Sequence, residues 1–128
     1  MFIESLKAYS DDRGELRPFN FSELPFSPKR MFLVSEAPKG ITRGEHAHYE
    51  TEQFLICLEG EITVSLYDGV KETVKTLKPF QGIYIPNMVW DSQKFNTGKD
   101  LLLVLASTEY NQKDYITSLS LFEGVVKK

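Results

Sequence analysis

Between Gly40 and Gly60 the chain reads GITRGEHAHYETEQFLICLEG. Both histidines of the protein, His46 and His48, lie in this stretch, one residue apart. Residues i and i+2 of an extended strand point to the same side, so an extended RGEHAH presents two imidazoles together. Taken alone, such a pair has three uses: a metal site, an acid–base site, or two ordinary exposed strand residues. The apolar run FLICL follows, and its cysteine, Cys57, reads as a buried thiol rather than a reactive one.

Working outward, short strand-like runs alternate with turn residues. RMFLVSEA is a strand stopped by Pro38–Gly40, and GIYIP is a short strand ended by Pro86. QFLICLEGEITVSLYDGVKETVKTL reads as consecutive strands turning at Glu59–Glu61 and again at Asp68-Gly69. An Asp-Gly pair suits a two-residue hairpin turn, because that turn needs positive φ. LLLVLAS is apolar on both faces and therefore central, and only Gln112–Phe122 has the composition of a short helix. No repeat or linker breaks the pattern, which predicts one all-β domain over residues 1–128, a small jelly roll or barrel with a short helical tail.

Bulk properties narrow the function. The 128 residues are enough for a single core, and 41% hydrophobic with 26% charged residues is an ordinary globular composition. A net charge of −3 without a basic run argues against a nucleic-acid partner. The longest apolar run, Leu101–Ala106, is too short for a bilayer. No leader peptide is readable, and one cysteine excludes an intrachain disulfide, so a cytoplasmic protein is expected.

Gly40, five residues, His46-x-His48, then Glu52 or Gln53 and Gly60 resembles the first signature of the cupin barrels, with Pro86–Asp91 (PNMVWD) in the register of the second. That resemblance implies a cupin-type jelly roll. In metal-binding cupins the ligands would be both histidines, a glutamate and a second-signature histidine. Here Gln53 holds the glutamate register, with Glu52 one position off, and Asp91 holds the last histidine register. An amide is a poor ligand beside a carboxylate, so the four-ligand set is damaged. A trio of His46, His48 and Asp91 could still form a two-histidine, one-carboxylate triad for iron in an oxygenase.

The flanking arginines point elsewhere. Arg43 stands three residues before His46, and Arg13 lies in DDRGEL. Each is by itself readable as a solvated charge, but a guanidinium fork near a candidate base suits a phosphate-bearing substrate. In order and spacing, DDRGEL, LPFSPKRMFLV, RGEHAHYETEQFLICLEGEITVSLYDG, GIYIPNMVW and LVLASTEYNQKDYI resemble the dTDP-4-keto-6-deoxyglucose 3,4-ketoisomerases, the WxcM-like sugar isomerases.

The resemblance implies a metal- and cofactor-free proton transfer through an enediol, in deoxyamino-sugar biosynthesis for surface polysaccharides. His46 and His48 would be catalytic, with His48 moving the proton between C3 and C4 and His46 serving the oxygens. Arg13 and Arg43 would contact the diphosphate, and Gln53 would be a polar group inside the barrel near the sugar. Tyr49 and Tyr84 are further candidate contacts, and Trp90 is expected to pack. Asp91 departs from the usual histidine; it could orient His46 or His48, or alter which face of the enediol is reprotonated. A homodimer is implied, with N-terminal strands exchanged so that Arg13 completes a partner's site. The alternatives are a 3,5-epimerase of the same substrate, the iron oxygenase, and a non-catalytic sugar-binding cupin.

Overall fold

A computed structural model describes residues 1–127. Strands β1 (Phe2–Ile3), β4 (Arg30–Ser35), β6 (Gln53–Glu59), β9 (Gly82–Ile85) and β11 (Leu101–Ala106) form one antiparallel sheet in the order β1-β9-β6-β11-β4. Strands β5 (Thr42–His48), β7 (Ile62–Tyr67), β8 (Glu72–Leu77), β10 (Trp90–Phe95) and β12 (Tyr115–Ile116) form a second, ordered β12-β5-β10-β7-β8. The sheets face each other as a jelly roll without joining into one continuous barrel. A separate hairpin pairs β2 (Tyr9–Asp11) with β3 (Gly14–Leu16).

Strand alternation decides what fills the space between the sheets. Leu55 and Cys57 of β6, Ile83 and Ile85 of β9, and Leu102 and Val104 of β11 meet Ile62, Val64, Leu77 and Phe95 from the second sheet. The opposite face of β6 is covered as well, because Phe54 and Ile56 pack beneath Leu6 and Leu24 of the N-terminal segment. FLICL is therefore an apolar run rather than an alternation because both its faces are buried. Burial pushes the Cys57 thiol up to about 11, which keeps it protonated. β11 lies between β6 and β4, the interior position expected from LLLVLAS.

Two readings need correction. The Asp68-Gly69 turn closes a four-residue loop, since the last β7–β8 pair is Tyr67 with Glu72. Asp68 Oδ1 accepts from Val70 and Lys71 N–H at 2.9 and 2.8 Å, so the side chain caps the loop. The tail is not helical from Gln112: a 3₁₀ turn spans Gln112–Asp114 and β12 follows. The helix α1 begins later, at Leu119–Val126. Ser118 caps α1, its Oγ accepting from Leu121 N–H at 3.2 Å. Phe122 then packs against Ala47 and Ile116 on the outer side of β5, and no helix is long and apolar enough to cross a membrane among the described residues.

Candidate active site

β5 carries the site, and its irregularity matters. Plain alternation would put Arg43 and His46 on opposite faces. The pairing with β10 instead matches Asp91 to His46 and Ser92 to Gly44, leaving Glu45 as an extra residue. Gly44 and Glu45 both take positive φ, at 85° and 61°. This β-bulge turns Arg43 to the same side as His46. Beyond it alternation resumes, so His46 and His48 face inward while Ala47 lies under Ile116 and Phe122.

Arg43, His46, Gln53 of β6, Gln93 of β10, Arg30 of β4 and Tyr115 of β12 open onto one cavity of about 340 Å³, floored by Val34, Leu55, Leu102 and Val104. This lies at the small end of the ~300–1,000 Å³ usual for small-molecule sites. The His46 and His48 ring centroids are 5.0 Å apart at 84°. Tyr115 pairs with His48 in register and packs on both rings, at 4.4 Å from His48 and 5.0 Å from His46. Asp114 anchors this corner by accepting N–H bonds from Glu50 and Thr51 at 2.9 and 3.0 Å.

Burial lowers the proton affinity of both imidazoles. His48 is 5% exposed and falls to about 4, through desolvation first and then His46, with Asp114 pulling the other way. His46 shifts in the same direction for the same first reason. Both are therefore neutral at pH 7, each with one nitrogen free to accept a proton and one N–H to donate.

Asp91 is 1% exposed, and burial raises it to about 7. Its Oδ2 accepts from Gln93 Nε2, while Oδ1 has no partner. It hydrogen-bonds neither histidine. Among the described residues no three His, Cys, Asp or Glu side chains gather as a metal site, so the trio His46, His48 and Asp91 is not assembled.

Of the other candidates, His48 and Asp91 are buried beside the cavity without lining it, and three stand apart from it. Tyr84 neighbours Ile83 and Ile85, which face the core, so alternation sends it to the other face of β9. There its hydroxyl donates to Glu52 at 2.5 Å. Tyr49 is 40% exposed just past β5, and its backbone alone is tied, to Asp114 and Asn87. Arg13 lies at the tip of the β2–β3 hairpin, paired with Asp11 at 2.6 Å and facing solvent. Trp90 packs on Phe122 at 5.9 Å, as expected.

Arg30, Gln93 and Tyr115 were not singled out from the sequence. Arg30 had a usable signal, since it shares a face of β4 with Phe32 and Val34. Gln93 had a weaker one, because DSQKF lacks the β-branched residues that mark a strand.

Comparison with known proteins adds an independent line. Residues 1–127 match the FdtA family, WxcM-like, C-terminal. The chain is 32% identical, over 98% of its length and 92% of the relative's, to the TDP-4-oxo-6-deoxy-alpha-D-glucose-3,4-oxoisomerase of Aneurinibacillus thermoaerophilus. Its fold matches the sugar 3,4-ketoisomerase QdtA of Thermoanaerobacterium thermosaccharolyticum in complex with TDP, with a TM-score of 0.91 and 34% identity over 99% of this chain and 93% of that one. The WlaRB TDP-quinovose 3,4-ketoisomerase of Campylobacter jejuni matches with a TM-score of 0.89 and 32% identity, over 97% of this chain and 96% of that one.

Proposed function

The chain belongs to the FdtA family of WxcM-like proteins, and we propose that it is a 3,4-ketoisomerase of a TDP-linked 4-keto-6-deoxyhexose working by proton transfer at His46 and His48. The observation that carries the mechanism is the pair of neutral imidazoles, 5.0 Å apart on one strand face, beside Arg43. A 3,4 shift needs a base at adjacent ring carbons and a donor at their oxygens. His48 takes the C3 proton, made acidic by the C4 ketone, and the C–H electrons become the C3=C4 bond of an enediol. The same proton returned to C4 completes the carbon shift, while His46 relays the hydroxyl proton from O3 to O4. The ketone ends at C3, and no atom or electron is gained or lost.

Arg43 and Arg30 are the cations lining the cavity and suit the diphosphate, and Gln53 offers an amide to the sugar. Arg13 is too exposed, on a hairpin attached to neither sheet, to serve its own cavity. A homodimer in which that hairpin reaches the neighbouring subunit gives it a use. In this reading the chain acts as a single cytoplasmic domain.

The test is an NMR time course with TDP-4-keto-6-deoxyglucose in deuterated water. Migration of the carbonyl from C4 to C3 is expected. Deuterium at C5 without migration would instead favour an epimerase, and silence a binding module.

A further inference from the structure

Gln93 is buried along most of its length, yet it lines the cavity together with Arg43 and His46. Two contacts restrain its amide. On one side, Nε2 donates to Asp91 Oδ2. On the other, it lies against Gly44, where an added Cβ would come within 3.1 Å of both Nε2 and Oε1. An amide with one N–H committed to a carboxylate is held in one orientation, leaving its carbonyl oxygen and its second N–H for a ligand. Asp91 meanwhile has no other hydrogen-bonding task, since Oδ1 is unpartnered. A carboxyl group 1% exposed is costly to keep unless something depends on it.

We infer that Gln93 is a sugar contact of this site and that Asp91 is its positioning residue, fixing the amide in one orientation toward the substrate. The amide's carbonyl oxygen and free N–H match the hydroxyl and keto oxygens of a sugar. The Asp91–Gln93 pair thus holds the sugar, whereas the arginines hold the diphosphate. This inference rests on the isomerase reading.

Gln93→Met and Asp91→Leu remove the contact and its support, and Asp91→Ala replaces the second should leucine not fold. The expected result is an about tenfold rise in KM for TDP-4-keto-6-deoxyglucose in each single variant, with kcat changed less. The double variant should be no worse than either one, because both act on a single contact. Calorimetry with TDP alone should show unchanged affinity, whereas a merely structural role would weaken TDP and sugar nucleotide together. The inference falls if KM stays within about twofold of wild type, if the single effects multiply in the double variant, or if TDP affinity drops in parallel. Should the wild type bind the sugar nucleotide without moving its carbonyl, the isomerase reading fails. Calorimetry on the same variants then still judges the pair. Absence of any binding overturns both.

Discussion

His46 and Asp91 stand directly opposite each other on β5 and β10, yet the aspartate bonds Gln93 on its own strand. Among the described residues neither imidazole has a side-chain hydrogen bond to a carboxylate. Their proton affinity is therefore governed by burial, which keeps both neutral at the pH where a base is wanted. Tyr115, wedged against both rings, fixes their orientation by packing.

If the two rings carry the proton transfer, His48→Asn and His46→Asn should lower kcat by about 10²–10⁴-fold with little change in KM. The rate of carbonyl migration followed by NMR measures this, and circular dichroism checks that the fold survives. A loss confined to KM would reassign the histidines to binding.

Arg43→Met should act in the opposite sense, raising KM roughly 10–100-fold while kcat is largely kept, since a charge-assisted hydrogen bond contributes about 1.5–3 kcal/mol. The remaining affinity should depend less steeply on salt. Arg13→Ala should show the same KM effect only if the hairpin serves a second copy. Mixing Arg13→Ala with His48→Asn subunits should then restore part of the activity, because some sites in the mixed dimer receive both native residues. No recovery on mixing would place Arg13 outside any shared site.

Gly44 ties the fold to the site. Its φ of 85° suits glycine, and a Cβ there would press on the Gln93 amide and on the Asp91 carbonyl, at 3.1 and 3.2 Å. Gly44→Ala should cost about 1–2 kcal/mol from the left-handed backbone alone, lowering Tm by roughly 4–10 °C. It should also raise KM by displacing Gln93. An unchanged Tm would mean that the bulge is not held in this conformation.

The strands were legible in the sequence wherever both sheet faces or a turn left a mark, as in FLICL, LLLVLAS and GIYIP. β10 and β12 were not: DSQKF lacks β-branched residues and is held extended by pairing with β5 and β7, while YI is only two residues long and is defined by its pairing with β5. The His-x-His face was readable from the period of a strand. The way Arg43 joins it was not, since a bulge depends on how β10 pairs across from Gly44. Tyr84 shows the converse limit: the choice of face on β9 is settled by neighbours that pack, not by the residue itself. Arg30 and Gln93 reach the cavity from strands distant in the chain, and only the folded arrangement brings them together.

Stability against pH offers a last check, because two buried groups pull against each other. Asp91 rises from 3.8 to about 7, so the native state holds its proton more tightly than the unfolded chain does. Its contribution is complete below about pH 4 and is lost as pH rises toward 7. His48 falls from 6.5 to about 4, so the native state holds that proton less tightly, and its contribution is complete above about pH 6.5 and lost as pH falls toward 4. Each slope reaches at most ~1.4 kcal/mol per pH unit, with opposite sign, so Tm of the wild type should change little between about pH 4.5 and 6 from these two groups. Asp91→Asn should expose the histidine slope, with Tm climbing as pH rises through this window and exceeding that of wild type at pH 8. His48→Gln should tilt the curve toward the aspartate slope, with Tm at pH 6 lower relative to pH 4.5 than in wild type, His46 still opposing it. Thermal melts monitored by circular dichroism at half-unit steps decide the matter, and parallel curves for all three proteins would refute the opposed titrations.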